Sequence, residues 1–280
     1  MKKSWQTACG TVIGKDHRRA GRNNQDAVCL TVLPTVIAAI VCDGCSGSKY
    51  SEVGAQLGAR LMSNELAQLL NSTVPSPDIT TESKRIRRAL SRTTEHLLSQ
   101  ISIMTRSLGG SFSQTIDDYF LFTLIGTIIT PEITTIFSLG DGLTGLNGEI
   151  KTLGPFPGNY PPYLAYELLR DEEQRHFLPE INRELPTAQV VSVIIATDGI
   201  FDFVANGSRN LPGSTEPLGA LDQFWYDDRY FGNTDLIRRR LTLANREVKN
   251  ADWHRQTINT EHGLLNDDTT IAVIRRQEEG

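Results

Sequence analysis

Blocks of apolar residues predict strands near the start of the chain and helices after them. The runs "CGTVIG", "AVCLTVL" and "TVIAAIVCDG" are short and apolar, and polar stretches separate them, so they predict three strands. The segments "SEVGAQLGARLMSNELAQLL" and "ESKRIRRALSRTTEHLLSQISIM" repeat apolar residues every three or four positions. This spacing predicts two amphipathic helices, the first with Ser51 as its N-cap.

After Tyr119 the pattern returns to strands, with one further helix. The predicted strands are "YFLFTLIGTIIT", "TTIFSLGDG", "TGLNGEIKTL", "VVSVIIATDG" and "DDTTIAVIRR". The segment "TDLIRRRLTLANREV" predicts a helix, and the Pro- and Gly-rich "GPFPGNYPPYLAYELL" predicts a surface connection. Few helices connect consecutive strands, which favours an α+β layered sandwich over a doubly wound parallel sheet.

We expect residues 1–280 to form one domain, because this length is near the upper limit for a single core. Residues from about 204 to 235 are polar and aromatic without a clear period, which predicts an inserted flap or loop. Trp225 is expected to anchor this insert. His176, His254 and His262 lie in polar stretches and are expected at the surface.

Acidic residues stand at the ends of four predicted strands. Three of them begin an Asp-Gly pair, which is also a common turn sequence, and the fourth strand starts with two aspartates. The positions are Asp43, Asp141, Asp198 and Asp267-Asp268. Carboxylates that converge without cations repel one another, and hard oxygen ligands favour Mg²⁺ or Mn²⁺. The pattern therefore predicts one shared site that holds divalent cations.

Composition limits the other functional classes. The chain has 28 basic and 33 acidic residues, a net charge of -5, and gives no support to binding of nucleic acid or of an anionic membrane. Four cysteines are too few for a disulfide framework at this length. Cys42 and Cys45 have CxxC spacing, but no second metal-binding pair follows them. We expect a soluble cytoplasmic protein with reduced thiols.

An ordered series of short motifs resembles the metal-dependent serine/threonine protein phosphatases of type 2C, also called the PPM family. The motifs are "NQD" at 24, "DG" at 43, "FTLIGT" at 122, "GDG" at 140, "DGIFD" at 198 and "DDTT" at 267. The order "H…G…NQDA" at the start is similar to a divergent bacterial branch. The resemblance covers nearly the whole chain and implies a four-layer αββα sandwich of two antiparallel β-sheets flanked by helix pairs.

The resemblance also implies a set of site residues. Asp43 would bridge two Mn²⁺ or Mg²⁺ ions, the Gly44 carbonyl would bind one of them, and Asp198 and Asp267 would complete the cluster. Asp26 would act through water. The others are Asp118, which would hold a third, weaker metal with Asp198, Asp268 as the alternative to Asp267, and His17 as the acid that protonates the leaving oxygen.

Several positions depart from the family pattern. Gln25 stands where the family has an acid, and Cys45-Ser46-Gly47-Ser48 replaces the usual glycine pair. Gly21 occupies the place of the usual phosphate-binding arginine, so Arg22 is the candidate for that role, with a solvated loop arginine as the equal alternative. Asp141 is expected to support the fold, and Asp202 to orient a ligand or cap a helix.

The resemblance implies hydrolysis of phosphoserine and phosphothreonine esters on proteins that a serine/threonine kinase has modified. The predicted enzyme is a monomer that uses two or three metal ions. Gln25 and the displaced arginine leave a pseudophosphatase that binds phosphoproteins as one alternative. A hydrolase of small phosphate esters is the other; the chain has no GxxxxGK loop, which argues against triphosphate chemistry of that type.

Overall fold

The computed structural model describes residues 5–170 and 178–277. Twelve strands occur in these residues: β1 Trp5–Val12, β2 Ala27–Val32, β3 Ile37–Cys42, β4 Leu124–Ile129, β5 Ile133–Leu139, β6 Gly142–Leu146, β7 Glu149–Leu153, β8 Glu180–Pro186, β9 Ser192–Ala196, β10 Val248–Asp252, β11 Thr257–Glu261 and β12 Thr269–Arg276. The α-helices in the same residues are α1 Lys15–Arg19, α2 Ser51–Asn71, α3 Ile79–Leu108, α4 Phe112–Tyr119, α5 Ile200–Ala205, α6 Gln223–Tyr226, α7 Arg229–Gly232 and α8 Leu236–Ala244.

Ten of the strands form two five-stranded antiparallel sheets. The first sheet has the order β2-β3-β4-β5-β8, and the second has the order β1-β12-β9-β6-β7. In the second sheet, β12 therefore lies between β1, from the start of the chain, and β9. The remaining strands, β10 and β11, pair only with each other among the described residues.

Alternating side chains of β3 show why its sequence is a continuous apolar run. Ile37, Ala39 and Val41 face the second sheet, in a core that also contains residues of β9 and β12. Ala38 and Ile40 face the other way, into the core formed with α2 and α3. Both faces are buried, so every residue of β3 is apolar or small.

A third core covers the outer face of the second sheet. There β9 and β12 pack against α5, α6, α7 and α8, with Phe203, Phe224 and Leu241 fully buried. Helices, sheet, sheet and helices thus form four layers. The predicted α+β sandwich of two antiparallel sheets is confirmed, although short helices and one of nine residues build the second helical layer.

Residues 204–235 pack onto this outer layer. Trp225 is 7% exposed, in agreement with its expected role as an anchor. Arg240 of α8 donates from Nη2 to the carbonyl oxygens of Pro217 (2.6 Å) and Leu218 (2.9 Å). His254 and His262 are exposed as expected, and His176 lies outside the described residues. None of the described helices combines the length and apolar character needed to cross a bilayer.

Three local expectations are corrected by the structure. Ser51 is the first residue of α2 rather than its cap: Tyr50 is the N-cap, and Ser51 Oγ donates to the Cys45 carbonyl oxygen. The connection 154–169 is only partly on the surface, because Tyr163 and Leu164 are buried in the core beside α3. The segment "VKNADWHRQTINTE" is a hairpin of β10 and β11, whereas the sequence predicted helix as far as Val248.

Candidate active site

Strand pairing brings four of the predicted acidic residues to one end of the two sheets. Ala27 pairs with Cys42, so Asp26 and Asp43 are adjacent at the end of the β2-β3 pair. In the second sheet, Ala196 pairs with Ile271, which places Asp198 and Asp267 at neighbouring strand ends. Packing of the two sheets against each other thus brings together, at one end, acids that are far apart in the sequence.

Burial and mutual proximity raise the pKa values of these acids. The pKa of Asp43 lies well above its usual range, first because of burial and then because of Asp26, Asp198 and Asp267. Burial, followed by Asp267 and Asp141, raises the pKa of Asp198 to about 6. Four converging carboxylates of this kind are suited to a divalent cation.

Asp26 has one oxygen that is satisfied and one that is not. Its Oδ2 accepts a hydrogen bond from Thr197 Oγ1 at 2.7 Å. Its Oδ1 is buried and has no hydrogen-bond partner among the described residues. Burial, together with Asp268, raises the pKa of Asp26 well above its usual range. A buried carboxylate oxygen without a partner is costly, and a cation or an ordered water would satisfy it.

Two glycines allow the loops at this end to approach closely. A Cβ at Gly199 would lie 2.0 Å from the Asp268 carbonyl oxygen, and a Cβ at Gly44 would lie 2.8 Å from the Gln25 carbonyl oxygen. Gly44 also donates its N–H to that Gln25 oxygen. Only glycine fits at these two positions. Both Asp-Gly pairs are therefore needed for the close packing of the loops around the site, and not only for a turn.

Asp268 and Asp267 have different roles although they are neighbours. Asp268 is 2% exposed and accepts hydrogen bonds from the backbone N–H groups of Gly14 (2.6 Å) and Gln25 (2.5 Å). The Asp267 side chain is half exposed and contributes to the raised pKa values of Asp43 and Asp198. Asp267 is therefore the one with oxygens available to a ligand.

We expect Asp268→Ala to lower the free energy of unfolding by about 3 kcal/mol, because two backbone donors would lose a buried charged acceptor. Asp267→Ala should change it by less than about 0.5 kcal/mol, as is usual for half-exposed residues, while weakening manganese binding. Urea unfolding of the metal-free proteins measures both values. A larger loss of stability from Asp267→Ala than from Asp268→Ala would contradict this division.

His17 lies beside the same loop, in α1. Its Nδ1 is 2.9 Å from Asp268 Oδ2 and 3.8 Å from Asp267 Oδ1. The contact with Asp268 raises the pKa of His17, which increases its protonated fraction near neutral pH. Arg22, which is exposed, is close enough to His17 to oppose this shift, and its Nη1 donates to the Ser46 carbonyl oxygen.

The described residues contain one compact group of candidate metal ligands by distance alone: His17, Asp267 and Asp268, whose ligand atoms lie within 4.8 Å of one another. Asp268 in this group is already bound by two backbone N–H groups. We therefore favour the acids around Asp43 as the metal ligands, because a cation would offset the burial and mutual repulsion of their carboxylates.

Three other acids of the sequence analysis have distinct neighbours. Asp118 accepts hydrogen bonds from Lys49 Nζ (3.0 Å) and Gln114 Nε2 (2.9 Å), and the contact with Lys49 lowers its pKa. Asp141 contributes to the raised pKa values of both Asp43 and Asp198, so it lies nearer the cluster than a purely supporting role would suggest. Asp202 accepts hydrogen bonds from the Asn266 N–H and side-chain amide, and so holds the loop before Asp267.

Comparisons with known proteins identify solved structures that have the same fold. Similar solved structures include serine-threonine phosphatase 2C from Toxoplasma gondii, with 16% identity, a TM-score of 0.57 and coverage of 98% of this chain and 95% of that one. The phosphatase Stp1 from Staphylococcus aureus shows 13% identity, a TM-score of 0.53 and coverage of 98% and 95%. The catalytic domain of PstP, in complex with two manganese ions, shows 14% identity, a TM-score of 0.52 and coverage of 98% and 99%.

At these identities the structures show a shared fold. None of the curated proteins matches the sequence. The family model of protein phosphatase 2C matches residues 13–225, which is more than half of the 280 residues. The chain therefore belongs to the protein phosphatase 2C family.

Proposed function

We propose that this protein hydrolyses phosphoserine and phosphothreonine esters on proteins with the help of two Mn²⁺ or Mg²⁺ ions. The observation that carries the proposal is the convergence of Asp26, Asp43, Asp198 and Asp267, three of them with pKa values that burial and one another raise. Such a set of oxygen donors fits hard divalent cations. The proposed ligands are Asp43, Asp198, Asp267 and the carbonyl of Gly44, with Asp26 acting through water.

Two such ions would lower the pKa of the attacking water and neutralise the phosphoryl oxygens. The protein then has to hold the substrate and supply a proton. Because Nδ1 of His17 faces Asp268, Nε2 is the nitrogen that can protonate the departing seryl or threonyl oxygen. Arg22 is exposed near His17, and its guanidinium can pair with phosphoryl oxygens if it leaves the Ser46 carbonyl.

We propose a third metal site at Asp118 only as a weak one. The carboxylate of Asp118 is engaged by Lys49 and Gln114. An ion shared by Asp118 and Asp198 would have to displace the Lys49 ammonium group, so this site should be weaker than the other two.

We also propose that the protein is a monomer in the cytoplasm of a bacterial cell. Its substrates would be proteins that a serine/threonine kinase has phosphorylated. The support for a reducing compartment is the cysteine content, because four cysteines in 280 residues are too few for a disulfide framework.

One observation favours a second candidate, a pseudophosphatase that binds phosphoproteins with little turnover. Gln25 is 2% exposed, and its Oε1 is buried without a hydrogen-bond partner among the described residues. Gln25 thus places a buried neutral amide at a position where the family usually has an acid. The site would then carry one negative charge fewer and would bind its ions more weakly.

The test is release of phosphate from a phosphothreonine peptide by the parent protein and by Asp198→Asn. We expect release with manganese or magnesium, none with chelator, and loss of activity in Asp198→Asn, since an amide at that position weakens metal binding. Asp222→Asn, at an exposed position, is the matched control and should retain activity.

The outcomes separate the two candidates. If the parent protein releases no phosphate but calorimetry detects manganese binding that Asp198→Asn weakens, the binding module is supported instead. Absence of manganese binding in the parent protein would overturn the proposed site itself.

A further inference from the structure

A cavity of about 290 Å³ lies next to the cluster of acids and is not used by the proposed chemistry. Its walls come from the ends of β5, β7 and β8 and include Gly140, Gly154, Phe156, Leu178, Glu180 and Asn182. Gly140 directly precedes Asp141, and a Cβ at Gly154 would lie 2.9 Å from the Asp141 Cβ. Asp141, whose charge also contributes to the raised pKa values of Asp43 and Asp198, therefore lies beside this cavity.

A bulge in β8 determines how Asn182 is presented. Ile136 of β5 pairs with Arg183, but the next residue, Phe137, pairs with Ile181, so Asn182 is the extra residue of the strand. Bulges interrupt the alternation of a strand and redirect a side chain, often beside an active site. Here the redirected side chain lines the cavity, and its Oδ1 is buried without a hydrogen-bond partner among the described residues. This oxygen calls for a donor from a bound molecule.

The other walls favour a donor that is positively charged and has an aliphatic stem. Phe156, Pro162 and Leu178 form an apolar wall, and Leu178 is 50% exposed. Glu180 is exposed at the rim and has no ion pair with a described residue. The nearest cation in sequence, Arg183, is paired with Glu149 at 2.6 Å. Lysine and arginine side chains pack their stems on apolar surface and place their charge on acceptors.

We propose that this cavity binds a lysine or arginine side chain of the phosphoprotein, close in sequence to the phosphorylated residue. The proposal rests on the proposed function, since the cavity adjoins the site where the phosphate would bind. It makes Asn182 and Glu180 residues that determine substrate specificity. The flanking positions to test are those within about three residues of the phosphothreonine, which an extended chain places within roughly 10 Å of it.

The experiment compares phosphothreonine peptides that differ at one flanking position, which carries arginine, norleucine or glutamate. Norleucine keeps an aliphatic stem without the charge. At the position that fits the cavity, we expect the arginine peptide to have a kcat/KM roughly tenfold above that of the norleucine peptide, mainly through a lower KM. Binding of the same peptides, labelled and followed by fluorescence anisotropy, should show the same order.

Variants connect the preference to the cavity. Glu180→Lys should abolish or invert the preference for arginine over glutamate, and Asn182→Leu should reduce it by removing the acceptor. Glu95→Lys, on the exposed face of α3 and away from the cavity, makes the same change of charge and should leave the preference intact. Hydrolysis of p-nitrophenyl phosphate, which has no flanking side chain, should be the same in all four proteins.

Failure of this proposal can be told apart from failure of the proposed function. If the parent protein hydrolyses p-nitrophenyl phosphate but treats arginine and norleucine peptides equally, the cavity proposal is wrong and the function stands. If no substrate is hydrolysed, the function fails, and the anisotropy measurement alone decides: a preference for arginine that Glu180→Lys removes supports the cavity, and equal binding overturns it. A preference that Glu95→Lys also removes would mean a general effect of charge, and would likewise overturn it.

Discussion

Replacing Asp43 with asparagine is expected to reduce metal-dependent phosphate release by about a thousandfold or more. Asp43 is a proposed metal ligand, and losing a ligand should cost more than losing a residue that only hydrogen-bonds to a ligand. The pKa of Asp43 is raised first by burial and then by four neighbouring acids, which are Asp26, Asp198, Asp267 and Asp141. Initial rates of phosphate release from the phosphothreonine peptide at saturating manganese measure the effect.

The same variant should not lose stability when metal is absent. A neutral amide of nearly the same shape replaces a carboxyl group whose charged form is disfavoured by burial and by its neighbours. We therefore expect the Asp43→Asn protein in chelator to unfold at the same temperature as the parent protein or a few degrees above it. A loss of more than about 3 kcal/mol, beyond the range of ordinary substitutions, would show that Asp43 is mainly structural. Full activity in the variant would remove Asp43 from the site.

Manganese is expected to stabilise the protein by about 2.7 kcal/mol at a free concentration of one hundred times its Kd. For a chain of this size that is an increase in Tm of roughly 5 °C or more. The increase should be larger at about pH 8 than at about pH 5.5, because the carboxylates must lose their protons to bind the ion. Differential scanning calorimetry at the two pH values, with manganese and with chelator, measures it.

The metal-free protein should show the opposite dependence on pH. The pKa of Asp198 rises on folding from 3.8 to about 6, so its contribution is fully present below pH 3.8 and is lost as the pH rises through about 6. His17, whose pKa is also raised, acts in the same direction from its usual value of 6.5 upward. An increase in stability of the chelated protein between about pH 5 and pH 8 would contradict this account of the cluster.

The acids at strand ends could be predicted from sequence because each follows or precedes a run that is buried on both faces. Such runs are visible in one dimension, and their ends must leave the core at one edge or the other. The choice between Asp267 and Asp268 depends on the partners of each carboxylate. Those partners, the N–H groups of Gly14 and Gln25, lie 254 and 243 positions away from Asp268 in sequence. No local pattern contains that information.

Other features were missed because they have little or no periodic signal. Helix α1 has five residues and none of them is buried, so its sequence contains no periodic pattern of apolar residues. The β10-β11 hairpin is mostly exposed and alternates only weakly. The bulge at Asn182 arises from the register between β5 and β8, which sequence alone does not reveal. The specificity proposed for the cavity therefore depends on the structure throughout.

The position of β12 between β1 and β9 has a consequence for synthesis on the ribosome. Until residues 269–276 emerge, β1 has no neighbour in its sheet to pair with, and β9 has one open edge. Asp267 lies two residues before this segment, so a growing chain lacks the completed sheet until this segment is made, and a still shorter chain also lacks one proposed ligand. Hydrolytic competence should therefore arise only after residues 269–276 have been made, and chaperones that protect exposed strand edges would matter most for a chain that still lacks them.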